Sequence, residues 1–86
     1  MNDERIWAEA CEYVGKWNHE RGQKTWPLCP PINDPAAAMA MLKLLAPRYA
    51  VVKEIGGKWQ VNNGSWSDTL PLALASAVVA LPKEQP

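Results

Sequence analysis

The side chains able to do covalent or metal chemistry are few. His19 is the only histidine, flanked by Asn18, Glu20 and Arg21, and Cys11 and Cys29 are the only thiols. Nucleophilic catalysis needs a Ser or Cys, a His and an orienting acid in one place. Cys29 and His19 meet only if the intervening chain folds back, and no residue pattern requires that. Structural zinc uses four ligands at tight spacing, whereas Cys11, Cys29 and His19 offer three on mismatched elements with no C-x-x-C pair. A histidine among charged neighbours is expected to be solvated, and the thiols to be free rather than bridged. The expectation is therefore a non-catalytic chain with no metal and no cofactor.

The aromatic inventory is more telling. Five Trp and two Tyr supply all the aromatic bulk, because there is no Phe. A chain of 86 residues buries only about 60–65% of the surface of its unfolded form, so its core is thin. Five indoles strain such a core, and each N–H wants a partner. Trp59 has a place on a buried hairpin face, while Trp7 fits either core or surface. Trp17, Trp26 and Trp66 are the candidates for an exposed role, with core filling as the plainer reading of each. An exposed Trp beside a cation anchors a protein partner or stacks on a base. Arg21 and Lys24 stand close to Trp26 in sequence, which suits a cation–aromatic platform. The candidate binding set is thus Trp17, His19, Arg21, Lys24, Trp26 and Trp66.

Charge narrows the partners. Nine Lys and Arg balance nine Asp and Glu, with no basic stripe and no acidic run. Non-specific nucleic-acid binding, which depends on clustered cations, is not expected, nor is an acidic mimic of DNA. A nucleotide-sized ligand needs only one or two cations and a stacking surface, so it stays open. The charged start, Met1-Asn2-Asp3-Glu4-Arg5, is unlike a secretory leader. The apolar run Leu70 to Leu81 is shorter than the ~20 residues a bilayer demands. The expectation is a soluble chain of the bacterial cytosol.

The elements that must position these side chains read as one domain over residues 1–86. Ile6, Ala10, Tyr13, Val14 and Trp17 recur at helical steps and predict a helix over 3–17, with Asp3 and Glu4 at its positive end and Gly15 near its stop. Trp7 and Cys11 lie one turn apart on a flanking face. Residues 18–33, with three prolines within Pro27–Pro31, predict an irregular loop pinned by Trp26, Leu28 and Ile32. Asp34 and Pro35 open a second helix over 34–46, with Met39, Leu42 and Leu45 inward and Pro47 as its end. Gly56-Gly57 predicts a primed hairpin turn within 49–62, with Ile55 opposite Lys58, Glu54 opposite Trp59 and Val52 opposite Val61. Ala50, Val52, Trp59 and Val61 would face the core, and Lys53, Lys58 and Gln60 the solvent. Asn63-Gly64 turns the chain into a short third strand over 65–67. Asp68 or Thr69 caps a last helix over 69–81, with Leu70, Leu74, Ala77, Val78 and Leu81 as its buried stripe. Leu72, Ala75 and Val79 lie off that stripe and suit either burial or self-association.

The runs Asp34-Pro35-Ala36-Ala37-Ala38, Gly57-Lys58-Trp59-Gln60-Val61 and Asp68-Thr69-Leu70-Pro71-Leu72-Ala73-Leu74-Ala75 resemble, in this order, the phage ABA sandwich domain family of small phage and prophage proteins. The resemblance spans 34–81, and the helix ending at Trp17 takes the equivalent leading place. It implies an α+β fold, a small antiparallel sheet packed with helices, in a phage-encoded accessory protein, and it transfers no catalytic residue. Such a protein would bind something of its host, as a homo-oligomer. It would sequester a nucleotide-derived signalling molecule, with Trp26 or Trp17 stacking and Arg21 or Lys24 at the phosphate. Alternatively it would inhibit a host defence complex by direct protein contact, of the anti-CRISPR kind. A phage housekeeping role is the third possibility. The loop bearing His19, Arg21, Trp26 and Cys29 is particular to this chain.

Overall fold

A computed structural model describes residues 3–20, 22, 29–46, 51–62 and 64–81. The fold is α+β: three helices, α1 (Asp3–Glu20), α2 (Pro35–Leu45) and α3 (Leu70–Val79), with a two-stranded antiparallel sheet, β1 (Val52–Ile55) and β2 (Lys58–Val61), between α2 and α3 in the chain.

The first helix buries Ile6, Ala10 and Val14, and half-buries Tyr13 and Trp17, as the spacing predicts. The flanking Trp7 and Cys11 are buried too. The helix does not stop at Trp17. It runs through Gly15 to Glu20, so Asn18, His19 and Glu20 are helical rather than part of a loop. A glycine in a helix interior costs about 1 kcal/mol. The packing of Trp17 against the core and the burial of Asn18 carry the helix past it. The stop comes at Gly22 (φ 73°), which donates its N–H to the His19 carbonyl oxygen at 3.0 Å. That is the glycine end of a helix, one that an L side chain at positive φ would strain.

Residues 29–34 form a strap from α1 to the starts of the other two helices. The Trp7 indole Nε1–H donates to the Pro30 carbonyl oxygen at 2.9 Å, giving this buried ring the partner it requires. The Pro31 carbonyl accepts the Asp34 N–H at 3.1 Å across a turn with Asn33 at φ 67°. Asp34 then caps α2, its carboxylate accepting the Ala37 N–H at 3.0 Å, with Pro35 in the first turn. Thr69, not Asp68, caps α3. Its hydroxyl oxygen accepts the Leu72 N–H at 3.4 Å and donates to Asn33 Oδ1 at 2.7 Å, which ties the strap to that cap. Ile32 is exposed and does not pin the strap; Trp26 and Leu28 lie outside the described residues.

The second helix turns Ala37, Ala38, Met41, Leu44 and Leu45 inward. The expected face is rotated: Met39 points out, 54% exposed, and Leu42 is half-buried. With apolar residues nearly all round, periodicity could not choose the face. The third helix goes further, for every residue from Leu72 to Val78 is buried. It packs against α1, α2 and β2 at once, which makes it the centre of the molecule. Leu72 and Ala75 therefore face the chain's own core, and no self-association face is built from them.

The hairpin register matches the expectation at Val52–Val61, Glu54–Trp59 and Ile55–Lys58. Gly56 and Gly57 both have positive φ, as a primed turn demands. Burial is less than expected. Every residue of β1 is exposed, Val52 included, and of the hairpin's core-facing residues Val61 is buried and Trp59 half-buried. Ala50 lies outside the described residues. The expected third strand shrinks to one bridge, Ser67 with Trp59, closed by reciprocal backbone hydrogen bonds of 2.8 Å. Just before it, Gly64 packs closely on α3. A Cβ on Gly64 would meet the Ala77 backbone nitrogen at 2.8 Å. Beside it, the Ser65 N–H donates to Ser76 Oγ at 2.7 Å, satisfying a buried hydroxyl of the central helix.

Candidate functional site

The sheet has two faces. Side chains alternate along a strand, and directly paired residues share a face. Val52, Glu54, Trp59, Val61 and Ser67 project on one side by register. Lys53, Ile55, Lys58 and Gln60 project on the other, and the Ser67–Trp59 bridge adds Trp66 and Asp68 to it. Lys58 Nζ and Asp68 Oδ1 form an ion pair across this bridge. Gln60 Nε2 donates to the Gly64 carbonyl oxygen at 2.9 Å, bracing the turn that carries Trp66.

The outward face was expected to be polar. It is instead amphipathic: Ile55 is 68% and Trp66 44% exposed. Ile55, Lys58 and Trp66 line an open cleft of about 270 Å³. The walls are an aliphatic side chain and an indole, and the ammonium of Lys58 already answers to Asp68. Val52, 45% exposed, lies on the opposite face of the hairpin from Ile55. The backbone frame holding these side chains is closed at both ends. The Gly57 N–H donates to Glu54 Oε2 at 2.8 Å at the turn, and the Val51 N–H donates to Asn62 Oδ1 at 2.8 Å at the base.

Of the six candidates from sequence, Trp66 stands in this cleft. Trp17 does not join it: it is half-buried on α1 against the core. His19 is exposed in the last turn of α1. Arg21, Lys24 and Trp26 lie outside the described residues. Sequence reasoning missed Ile55 as a site residue. The signal was there in the register, which puts a lone β-branched residue opposite Lys58 on the polar side of the hairpin.

No group of three potential metal ligands occurs among the described residues. Nor is any helix among them long and apolar enough to cross a membrane. Cys11 is buried and its thiol is pushed up to about 12, first by desolvation and then by the charge of, and a hydrogen bond with, the neighbouring Cys29, with a further contribution from Asp34. A thiol held so far above neutrality is protonated and a poor nucleophile.

Compared with known proteins, the chain matches no family model, no curated protein and no solved structure.

Proposed function

We propose that this chain is a non-catalytic binding protein that engages a protein partner through the outward face of its hairpin, with Ile55 and Trp66 as anchors. The observation that carries this reading is the cleft itself: an exposed indole and an exposed aliphatic side chain line it together with Lys58, whose ammonium is paired with Asp68. Trp is enriched among residues that dominate protein–protein binding energy, set in apolar surroundings and rimmed by polar groups. An open cleft suits the convex surface of a partner, whereas small ligands favour enclosed pockets that bury most of their surface. Of the cleft's own lining residues the one cation is Lys58, and a phosphate there would have to displace Asp68. The resemblance to phage accessory proteins directs the reading toward a host defence complex as the partner class, with the chain as an inhibitor acting by occupancy. Sequestration of a nucleotide-type ligand rests on Trp26 or Trp17 with Arg21 or Lys24; Trp17 lies half-buried against the core, and the other three fall outside the described residues.

Native mass spectrometry of the protein purified from bacteria carrying active immune systems separates the two. A complex containing one additional polypeptide supports the protein-partner reading. A bound mass of a few hundred daltons per site, lost on denaturation, would replace it with capture of a small molecule.

A further inference from the structure

The ladder between β1 and β2 leaves one edge of the sheet open. In an antiparallel pair the backbone bonds alternate, so a residue that does not bond its partner turns its N–H and C=O the other way. The Asn62 N–H donates to the Val51 carbonyl oxygen at 2.9 Å, and Trp59 exchanges both its backbone bonds with Ser67 at 2.8 Å, away from β1. With Val52 opposite Val61 and Glu54 opposite Trp59, that alternation bonds Lys53 and Ile55 to β2 and aims the N–H and C=O of Val52 and Glu54 outward. Every residue of β1 is exposed, and among the described elements β1 packs on β2 alone. An open strand edge of this kind is a template for a further strand.

We infer that this edge takes an extended, acidic segment of the partner protein, added antiparallel to β1 as a third strand. The partner is the one read from the cleft, so its existence rests on that reading, while its shape follows from the ladder. Main-chain bonds to Val52 and Glu54 hold the added strand, and its side chains at alternate positions decide which segment fits. Paired residues share a face, so the side chains opposite Lys53 and opposite Ile55 both lie on the outward face, two positions apart. Lys53 is exposed and has no carboxylate within ion-pair distance among the described residues, so an Asp or Glu suits the place opposite it. Ile55 is exposed too, and an apolar residue opposite it continues the apolar wall of the cleft. A second copy of the chain is the wrong occupant. Only one antiparallel register engages Val52 and Glu54 of both copies, and it sets Lys53 opposite its own counterpart. Like charges directly opposite destabilise a strand pair, and an edge lysine is a common guard against self-pairing.

The test is an NMR titration of the isotope-labelled full chain with the acetylated and amidated peptide Val-Thr-Glu-Val-Thr, taken to millimolar concentration. Laid antiparallel, the peptide sets its Glu opposite Lys53 and its first Val opposite Ile55. Amide exchange with water is read residue by residue. Exchange should slow by at least about threefold at Val52 and Glu54, and stay unchanged at Lys53 and Ile55, which already bond β2. A peptide with Lys in place of the Glu should bind at least about threefold more weakly. Val52→Pro removes an outward N–H and no bond to β2, and should abolish the slowing at Glu54. No slowing at either amide, or equal binding of the two peptides, would overturn the inference. The wild-type titration decides the matter alone if Val52→Pro fails to fold. It uses no host protein, so its failure leaves Ile55 and Trp66 as anchors of the cleft. Failure of those anchors is read separately, from partner capture by the Trp66→Ala chain, whose edge should still bind the peptide.

Discussion

The fate of each tryptophan is set by what its indole N–H and its ring face find. Trp7 finds both a core and a carbonyl, at Pro30. Trp17 and Trp59 lay part of their rings on the core. Trp66 sits on a turn braced from below, with 44% of its surface left in water. Truncation should therefore separate the two roles. Trp7→Phe keeps most of the volume but takes the indole N–H from the Pro30 carbonyl, leaving it only the weak Cys29 thiol donor, and should cost about 1–3 kcal/mol in urea unfolding. Trp66→Ala should change stability by less than about 1 kcal/mol while weakening partner binding by at least about 2 kcal/mol. A Trp66→Ala chain that unfolds would show that the ring is structural. Cys11 offers a second residue-scale test. Its folded pKa is raised, so above the unfolded thiol's pKa near 9 the unfolded chain releases a proton that the folded chain keeps. Stability from this group is complete below pH 9 and falls as pH rises from about 9 toward about 12. At pH 10 the loss should be roughly 1 kcal/mol, measured as the difference in urea unfolding between the wild type and Cys11→Ala. Equal pH slopes for both chains would refute it.

At the scale of elements, the signals that were legible are those a single residue type enforces locally. Asp34 with Pro35 starts a helix, Gly56-Gly57 forces a primed turn, and each appears where the sequence places it. Less legible was anything that depends on competition between local preference and packing. Gly15 looks like a helix stop and is not, because the helix beyond it is held by Trp17 and Asn18. Gly22, at positive φ, is the stop. The two glycine environments predict opposite responses. Gly15 has nothing within 4 Å of a built Cβ, so Gly15→Ala should stabilise the fold by about 0.5–1 kcal/mol. Gly64 meets the α3 backbone at under 3.0 Å, so Gly64→Ala must push the bridge segment off the helix and should cost about 1–3 kcal/mol. Thermal denaturation of the two variants checks both signs.

Seen as a whole molecule, the chain meets the problem of a thin core by making its last helix the centre. Leu72 to Val78 are all buried, and the alanines at 73, 75 and 77 let α1, α2 and β2 approach from several sides. That arrangement was half legible. The apolar excess of α3 is plain in the sequence, but surplus apolar residues fit a central helix and an oligomer face equally well, and only the packing separates them. The site was less legible than the fold. It is assembled from Ile55, Lys58 and Trp66 on two sides of the hairpin and its bridge, so no run of adjacent residues announces it. Residue type favoured the tryptophans and cations around the proline loop, where local spacing suggested a platform. The outward face emerges only once register and bridge are known. With its core turned inward on α3, the molecule presents Ile55 and Trp66 as the exposed apolar residues of its outward sheet face.

The most direct test is site-specific photo-crosslinking in bacteria that carry active defence systems, with a benzophenone side chain at position 55 or, as a control, at the exposed Lys43 of α2. The account predicts one discrete crosslinked polypeptide from position 55, none from position 43, and loss of that product when Trp66→Ala is added. Equal capture from both positions, or a product from position 55 that survives Trp66→Ala undiminished, would contradict the assignment of the outward sheet face as the binding surface.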